Sequence, residues 1–195
     1  TAVEQEIEQH VKALRELNHL LETGQSAYHR EASRLESLKN LTERYEGYGG
    51  SVKRVMEQKD KNKGIIGVVA DIIKVDKKYE TAIEIALGGN IQNIVTEDED
   101  TAKEMIQFLK QNKSGRATFL PLTSITKPQE FKTPEVLEEK GVVGMANELV
   151  NIDDKYKNVA KAMLGRIVVI DHIDNAVKIA KKYDYGVRMV TLEGE

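Results

Sequence analysis

The sequence predicts a mixed α/β protein in which a long helix precedes a duplicated α/β unit. In residues 1–46, apolar side chains recur at alternating intervals of three and four residues, which is typical of a coiled-coil helix. A glycine-rich apolar pattern that begins at Gly64 returns at Gly141, 77 positions later. Each copy alternates segments of strand and helix character, which indicates an α/β arrangement.

Composition excludes several functional classes. The 195 residues carry 29 basic and 32 acidic side chains, a net charge of −3, so a uniformly basic nucleic-acid coat is excluded while a local basic patch is not. Cysteine is absent, which excludes disulfides, thiolate metal ligands and cysteine nucleophiles and suits a reducing compartment. The polar, acidic N-terminus does not resemble a signal peptide, and no apolar run approaches the ~18 residues of a membrane span.

Residues 1–46 are predicted to form a coiled-coil arm. Eight of the twelve seam positions are apolar or tyrosine. The twelve positions are Ile7, His10, Leu14, Leu17, Leu21, Gly24, Tyr28, Glu31, Leu35, Leu38, Thr42 and Tyr45. A continuous helix of this length would extend ~69 Å and would need another helix to bury its seam. Two alternatives remain open: an ordinary amphipathic helix packed on its own domain, and a break into two helices at Gly24.

A glycine cluster marks the end of the arm. Gly47, Gly49 and Gly50 can adopt the left-handed conformation that terminates helices. We therefore expect an arm over 1–46, a first subdomain over 47–127 and a second subdomain over 128–195.

The two subdomains are predicted to be copies of one unit. Gly64-Ile65-Ile66-Gly67 recurs as Gly141-Val142-Val143-Gly144. Further matches at the same offset are Asp76 with Asp153, Lys78 with Lys155, Tyr79 with Tyr156, and Leu87-Gly88 with Leu164-Gly165. Constant spacing of glycines and a tyrosine indicates an internal duplication.

Each copy has the same predicted order of elements after its glycine-punctuated apolar segment (Gly64–Val75 or Gly141–Ile152). These elements are a helix (Tyr79–Leu87 or Tyr156–Leu164) ended by Gly88 or Gly165, a strand (Ile91–Val95 or Ile167–Ile170), a second helix (Asp100–Lys110 or Asp174–Tyr183) and a last strand (Ala117–Leu120 or Val187–Leu192). Asp100 and Asp174 are the expected N-caps. Pro121 to Lys140 holds all three prolines and is the expected connector.

The sequence contains no candidate catalytic residue and no metal-site pattern. The four histidines have no ligand spacing with carboxylates, and no nucleophile motif occurs. The segment Gly47–Lys53 resembles a phosphate loop but follows a helix and lacks the Gly-Lys-Ser/Thr ending. The acidic run Glu97–Asp100 suits a helix N-terminus better than a cation site. A small-ligand or nucleotide-binding α/β domain remains an alternative function.

Basic residues form local groups. Lys110, Lys113 and Arg116 lie where the second helix of the first copy ends, and a comparable helix of the second copy carries Lys178, Lys181 and Lys182. A third group, Lys59, Lys61 and Lys63, precedes the first copy. Such side chains suffice for phosphate contacts, although a solvated helix surface would show the same pattern.

Several strings in residues 47–195 resemble the hinge domain of bacterial SMC (structural maintenance of chromosomes) proteins. They are Gly64-Ile65-Ile66-Gly67-Val68-Val69-Ala70-Asp71, Tyr79 with Ala82-Ile83-Glu84-Ile85-Ala86-Leu87-Gly88-Gly89, Gln92-Asn93-Ile94-Val95, Gly115-Arg116-Ala117-Thr118-Phe119-Leu120-Pro121, and Val190-Thr191-Leu192-Glu193-Gly194-Glu195. The arm is similar in kind.

The resemblance implies a dimerisation module. An SMC chain folds back at its hinge, so that a returning helix pairs antiparallel with the arm, and two hinges form a homodimer. The ATPase heads lie elsewhere in the full-length protein, so the hinge is expected to be non-catalytic and free of cofactors. The resemblance also implies weak, non-specific DNA binding, a cytoplasmic, nucleoid-associated location and no association with a membrane. In the family, a glycine-rich stretch that contributes to the dimer contact follows the position of Glu195, so we expect this chain to be a piece of a longer protein.

The duplication suggests how two chains would meet: the first copy of one chain faces the second copy of the other, twice over. The expected dimer-interface residues are Ala102, Lys103, Ile106, Ala176, Val177, Ala180, Val187, Val190, Leu192 and Gly194. The expected DNA-binding residues are Lys110, Lys113, Arg116, Lys181 and Lys182.

Overall fold

The arm is one continuous helix, α1 (Ala2–Arg44), of 43 residues. A computed structural model describes the backbone of residues 1–195 and every side chain except those of Leu41, Thr42 and Arg44, so the predicted seam position at Thr42 lies outside the described side chains. The alternative of a break at Gly24 does not hold, because α1 continues through that residue. A glycine inside a helix costs about 1 kcal/mol relative to alanine, which a helix of this length tolerates.

The seam of α1 is exposed in the single chain. Six seam side chains are more than half exposed: Ile7, Leu14, Leu17, Leu21, Tyr28 and Leu35. An apolar stripe of this length on one helix is typical of a coiled-coil strand whose partner helix covers it.

The chain divides into two units, Thr1–Gly47 and Tyr48–Glu195. Gly47 has a φ of +91°, which confirms the expected left-handed residue after the arm. The second unit opens with a short helix, α2 (Gly50–Met56), whose Val52, Val55 and Met56 are buried.

Two halves with the same order of elements follow α2. The first consists of β1 (Ile65–Val68), α3 (Val69–Ile72), β2 (Lys74–Val75), α4 (Glu80–Leu87), β3 (Ile94–Thr96), α5 (Glu99–Gln111) and β4 (Phe119–Pro121). The second consists of β5 (Val142–Met145), a 3₁₀ turn (Ala146–Glu148) in place of α3, β6 (Val150–Asn151), α6 (Lys157–Leu164), β7 (Ile167–Ile170), α7 (Ile173–Lys182) and β8 (Arg188–Thr191). The expected boundary at 127/128 falls in the connector, between 3₁₀ turns at Leu122–Ser124 and Pro134–Glu138.

Each half contains a three-stranded sheet of the same design. In the first, β3 lies between antiparallel β1 and parallel β4; in the second, β7 lies between antiparallel β5 and parallel β8. The pairing shifts register at the same place, between Ile65 and Gly67 in one half and between Val142 and Gly144 in the other. All four residues of β7 are buried because β7 is the central strand.

A two-stranded ribbon joins the halves. Strands β2 and β6 pair antiparallel, with Lys74 opposite Asn151 and Val75 opposite Val150. One apolar cluster also spans the halves, since Ile83 and Val95 of the first share it with Val159 and Val169 of the second. Residues 48–195 therefore have a common core, which explains why the halves form one unit.

The structure corrects three local predictions. Both second helices begin earlier than expected, so their N-caps are Asp98 and His172 rather than Asp100 and Asp174. The strand predicted over Ile91–Val95 begins at Ile94, because Gly88–Gln92 is a 3₁₀ helix. Gly88 and Gly165 end α4 and α6 as predicted, with a left-handed φ of +52° at Gly88 and a φ of −70° at Gly165.

Candidate dimer interface and cationic surfaces

Helix α7 divides its apolar residues between two faces. Ala176 and Ile179 are buried in the core of the second half. Val177 is 44% exposed, Ile173 is 36% exposed and Ala180 is half-buried. Residues four and three apart lie on one helix face, so Ile173, Val177 and Ala180 form an outward apolar stripe.

A shallow groove follows this stripe along β8. Its lining residues are Ile173, Ala176, Val177, Ala180, Val187, Met189, Val190, Thr191 and Glu195. Five predicted interface residues thus lie together in one groove: Ala176, Val177, Ala180, Val187 and Val190. Ile173 and Met189 also line the groove, although neither is among the residues predicted from the sequence. The spacing of Ile173, one turn before Val177, could have identified it.

The matching surface of the first half lies on α5. Ile106 is 50% exposed and Lys103, one turn earlier, is exposed, whereas Ala102 is only 6% exposed. Met105 and Leu109 bury the opposite face of the helix. Helix α5 therefore presents an apolar side chain flanked by the lysine stem at position 103.

Several predicted interface residues belong to the core of the chain itself. Val187 and Val190 are at most 9% exposed, so their side chains form the floor of the groove. Leu192 packs against the shared core. Gly194 has a φ of +88°, and a Cβ on it would lie 3.0 Å from the Thr81 side chain on α4. Val187, Val190 and Leu192 therefore stabilise the packing of the second half, and Gly194 allows the chain to pass close to α4.

Strands β4 and β8 each lie at the edge of a three-stranded sheet. Beyond β8, the Thr191 amide donates a hydrogen bond to the Glu195 carbonyl oxygen at 3.2 Å, and the Gly194 amide donates to the Thr191 carbonyl oxygen at 3.0 Å. The chain thus turns at the end of β8. An edge strand retains backbone groups that a further strand can pair with.

The predicted DNA-binding cations of the first half lie together at the C-terminal end of α5. Lys110 lies in the last turn, Lys113 follows in a left-handed conformation with a φ of +50°, and Arg116 is exposed. The Ser51 hydroxyl donates to the Arg116 carbonyl oxygen at 2.6 Å, which fixes the backbone here. Three exposed cations therefore occupy a stretch of seven residues, 110–116.

The predicted cations of the second half differ from each other. Lys181 is exposed, whereas Lys182 donates a hydrogen bond to the Glu139 carboxylate. The Tyr183 hydroxyl donates to the same carboxylate at 2.8 Å. The hydrogen bond from Lys182, followed by that from Tyr183, lowers the pKa of Glu139, and the bond to Glu139 raises the pKa of Lys182. Lys182 therefore attaches the connector to α7, and its charge is already matched.

Other sites weighed from the sequence lack structural support. The segment Gly47–Lys53 contains the start of α2, and the residue before it lies at the end of the arm rather than in a strand. Among the described residues there is no group of three side chains that could hold a metal ion. The acidic run leads into the first turn of α5. Its Asp98 is the N-cap of that helix and accepts a hydrogen bond from the Thr101 amide at 2.8 Å. Within the same described residues, no helix has the length and apolar character of a membrane span.

Comparison with known proteins identifies related chains. The sequence model of the family described as SMC proteins Flexible Hinge Domain matches residues 62–180. The chromosome partition protein Smc of Desulfitobacterium hafniense (strain Y51) is 38% identical over 188 residues, which cover 94% of this chain and 15% of that protein. The Smc protein of Halothermothrix orenii is 42% identical over 164 residues, or 84% of this chain and 14% of that protein. The chain thus spans about one seventh of these relatives.

Solved structures show the same fold. An asymmetric dimer of the Geobacillus stearothermophilus SMC hinge domain matches with a TM-score of 0.73 and 36% identity, covering 91% of this chain and 73% of that one. The Pyrococcus furiosus SMC hinge domain matches with a TM-score of 0.63 and 37% identity, covering 81% and 80%.

Proposed function

Because the chain belongs to the family of SMC flexible hinge domains, we propose that it is the homodimerisation hinge of a chromosome partition protein and joins two coiled-coil arms. The description of this family is that of a hinge and not of an enzyme. The ATPase heads that would act on the chromosome belong to the rest of the protein, beyond this segment.

The observation that supports the proposal is an exposed surface on each half, and we infer that these surfaces face each other across a dimer axis. The α7–β8 groove has an apolar floor and an exposed Val177, and α5 presents Ile106 beside Lys103. If α5 of one chain enters the groove of a second chain, the twofold axis places the second chain's α5 in the first chain's groove. Two identical contacts then close a ring, which no single contact could do.

Cysteine cross-linking tests this pairing on a chain without native cysteine. We expect a Lys103→Cys chain mixed with a Val177→Cys chain to form a disulfide-linked dimer under mild oxidation. Each variant alone is the matched control, because α5-to-α5 and α7-to-α7 contacts are absent from the proposed ring. Equal cross-linking in the mixture and in both single-variant samples would reject the proposed pairing.

Charge insertion provides a second test. Val177→Asp places a carboxylate on the groove and should shift the chain toward monomer in sedimentation. Leu137→Asp is the control, because Leu137 is similarly exposed, at 37%, but lies in the 3₁₀ turn of the connector. A dimer that tolerates Val177→Asp as well as Leu137→Asp would contradict the proposal.

The arm fits the same role. Its exposed seam, from Ile7 to Leu38, suits an antiparallel return helix of the same chain. Each hinge then carries one two-helix arm, and dimerisation connects two arms.

Weak DNA binding without sequence preference is the second part of the proposal. Lys110, Lys113 and Arg116 are exposed cations at one helix end, and their contacts with phosphates would carry no sequence information. Binding should fall with salt by roughly 0.9 log units per phosphate contact for each log unit of salt.

A double charge reversal tests these residues. Lys110→Glu with Lys113→Glu should weaken binding to a short fluorescent duplex and reduce the salt slope by roughly 1.8. Lys157→Glu with Lys161→Glu is the control, since it changes the net charge equally on exposed positions of α6. Equal losses in both variants would show that net charge, rather than this surface, governs binding.

A further inference from the structure

Three cations from separate segments converge on one pocket in the second half. The pocket, about 220 Å³ in volume, is lined by Phe131, Lys132, Thr133, Arg166, Gly186 and Arg188. None of the cations predicted from sequence to bind DNA lines it. Lys132 belongs to the connector, Arg166 precedes β7 and Arg188 begins β8. Their separation along the chain explains why a search for neighbouring basic residues does not find them.

The sheet brings the two arginines together. Strands β7 and β8 are parallel, and Ile167 lies opposite Arg188, so Arg166 and Arg188 lie at the amino ends of adjacent strands. Neighbouring strands are about 4.8 Å apart. The Arg166 guanidinium is also oriented by a hydrogen bond from Nη1 to the Gln129 Oε1 atom at 2.7 Å.

None of the ion pairs formed by the described side chains includes a cation of the pocket. Among the described side chains, no carboxylate lies within 4 Å of the charged nitrogens of Lys132, Arg166 or Arg188. This contrasts with Lys182 of the same half, whose charge Glu139 matches. Like charges on neighbouring strands repel each other, so an anion in the pocket would relieve an unfavourable interaction.

The chemistry of the lining favours a phosphate group. Arginine presents a planar fork of donors that matches two phosphate oxygens, and lysine adds a point charge. The Thr133 hydroxyl offers another donor, and Gly186 contributes no side chain to fill the space. The volume is below the roughly 300–1,000 Å³ of sites that enclose a drug-sized organic ligand.

We propose that Arg166, Arg188 and Lys132 form a phosphate-binding pocket on the second half of the hinge. The phosphate can belong to a nucleic-acid backbone or to a free phosphate compound, and both present the same oxygens. In the first case, the pocket would extend the DNA surface beyond the residues proposed above. The pocket itself does not depend on that proposal.

Two probes distinguish the sources: inorganic pyrophosphate, followed by the backbone amide NMR signals of Thr133 and Gly186, which every variant retains, and a short fluorescent DNA duplex, followed over a range of salt concentrations. In the unaltered chain, we expect pyrophosphate or duplex to shift both amide signals. The Arg166→Gln, Arg188→Gln variant should lose the response, and its duplex salt slope should fall by roughly 1.8 if both arginines contact DNA phosphates. Lys157→Gln with Lys161→Gln, which removes two charges from α6, should retain the response.

A charge-preserving variant separates binding from folding. Arg166→Lys with Arg188→Lys keeps both charges but removes the forked donors, so it should bind more weakly than the unaltered chain and more tightly than the glutamine variant. If the glutamine variant loses only the response to pyrophosphate, the pocket binds free phosphate compounds. If the glutamine variant loses the response to the duplex, the pocket binds nucleic acid. If neither probe shifts the Thr133 and Gly186 amide signals and the glutamine variant binds duplex as its control does, the pocket is not a phosphate site, whatever the outcome for Lys110 and Lys113.

Discussion

Gly141 should be one of the positions least tolerant of a side chain. Its φ is +94°, and a Cβ built on it would lie 2.5 Å from Asn175 Nδ2 and 2.6 Å from Asp171 Oδ1. Those two atoms are hydrogen-bonded to each other at 2.8 Å, and the Asp171 amide donates to the Gly141 carbonyl oxygen at 2.8 Å. Gly141 is therefore enclosed by the turn that leads from β7 into α7, the helix of the proposed groove.

Two separable costs make up the expected effect of Gly141→Ala. The left-handed conformation costs about 1–2 kcal/mol for a residue with a Cβ. Displacing the surrounding side chains adds about 1–3 kcal/mol, the usual range for overpacking. We expect a loss of about 3 kcal/mol in the free energy of unfolding, which corresponds to a Tm lower by roughly 6–12 °C in a domain of this size.

Two other glycines provide matched controls. Gly88 has a φ of +52° but nothing within 4 Å of a built Cβ, so Gly88→Ala should show the conformational cost alone. Gly89 has neither a left-handed φ nor a close neighbour, so Gly89→Ala should leave Tm unchanged or raise it slightly. Calorimetry, with the domain transition identified from the near-ultraviolet circular dichroism of tyrosine, measures all three variants. If Gly141→Ala lowers Tm no more than Gly88→Ala does, the enclosure inferred around Gly141 is wrong.

Three further predictions concern caps, charge and the arm. Asp98 caps α5 by accepting a hydrogen bond from the Thr101 amide, which also lowers the pKa of Asp98. Asp98→Ala removes this cap, so it should lower Tm by more than Asp100→Ala does. Equal losses of Tm in the two variants would reject Asp98 as the N-cap. The pKa of Glu139 is lowered in the folded chain, so the stability that its carboxylate contributes is present above the ordinary pKa of 4.5 and is lost as pH falls through the folded value. Glu139→Gln should therefore lower Tm at neutral pH, and its Tm should converge with that of the unaltered chain in acid. A difference in Tm that does not change with pH would contradict this. Gly24→Ala should stabilise the arm by about 1 kcal/mol, measured as helicity on heating, and an unchanged melting curve would argue against a continuous helix there.

The elements with strong periodic signals were predictable. The arm follows from a seam that persists through residues 1–46, and α4 and α6 follow from short apolar runs ended by Gly88 and Gly165. The residues at which helices begin were harder to predict. Helix α5 begins before Asp100 because the Asp98 carboxylate accepts a hydrogen bond from the Thr101 amide, and an aspartate at position 100 is an equally suitable N-cap from sequence alone. Gly24 did not break the arm because a single glycine weakens a long helix without ending it.

The sites were predictable to the extent that local spacing determines them. The stripe on α7 follows from helical periodicity, so the sequence identified Val177 and Ala180 as members of one surface. The cation pocket depends on the parallel register of β7 and β8, which places Arg166 beside Arg188 across 22 positions of sequence. The pairing of Lys182 with Glu139 likewise requires the path of the connector, which spacing along the chain does not contain.

The ribbon between the halves has a symmetry of its own. Lys74 lies opposite Asn151, and these two residues are separated by the same 77 positions that separate Gly64 from Gly141. Each strand therefore meets its own counterpart, as it would across a local dyad between two identical polypeptides. In this ribbon the two strands are related as they would be between two copies of one half, and the connector from Pro121 to Lys140 holds them within a single chain.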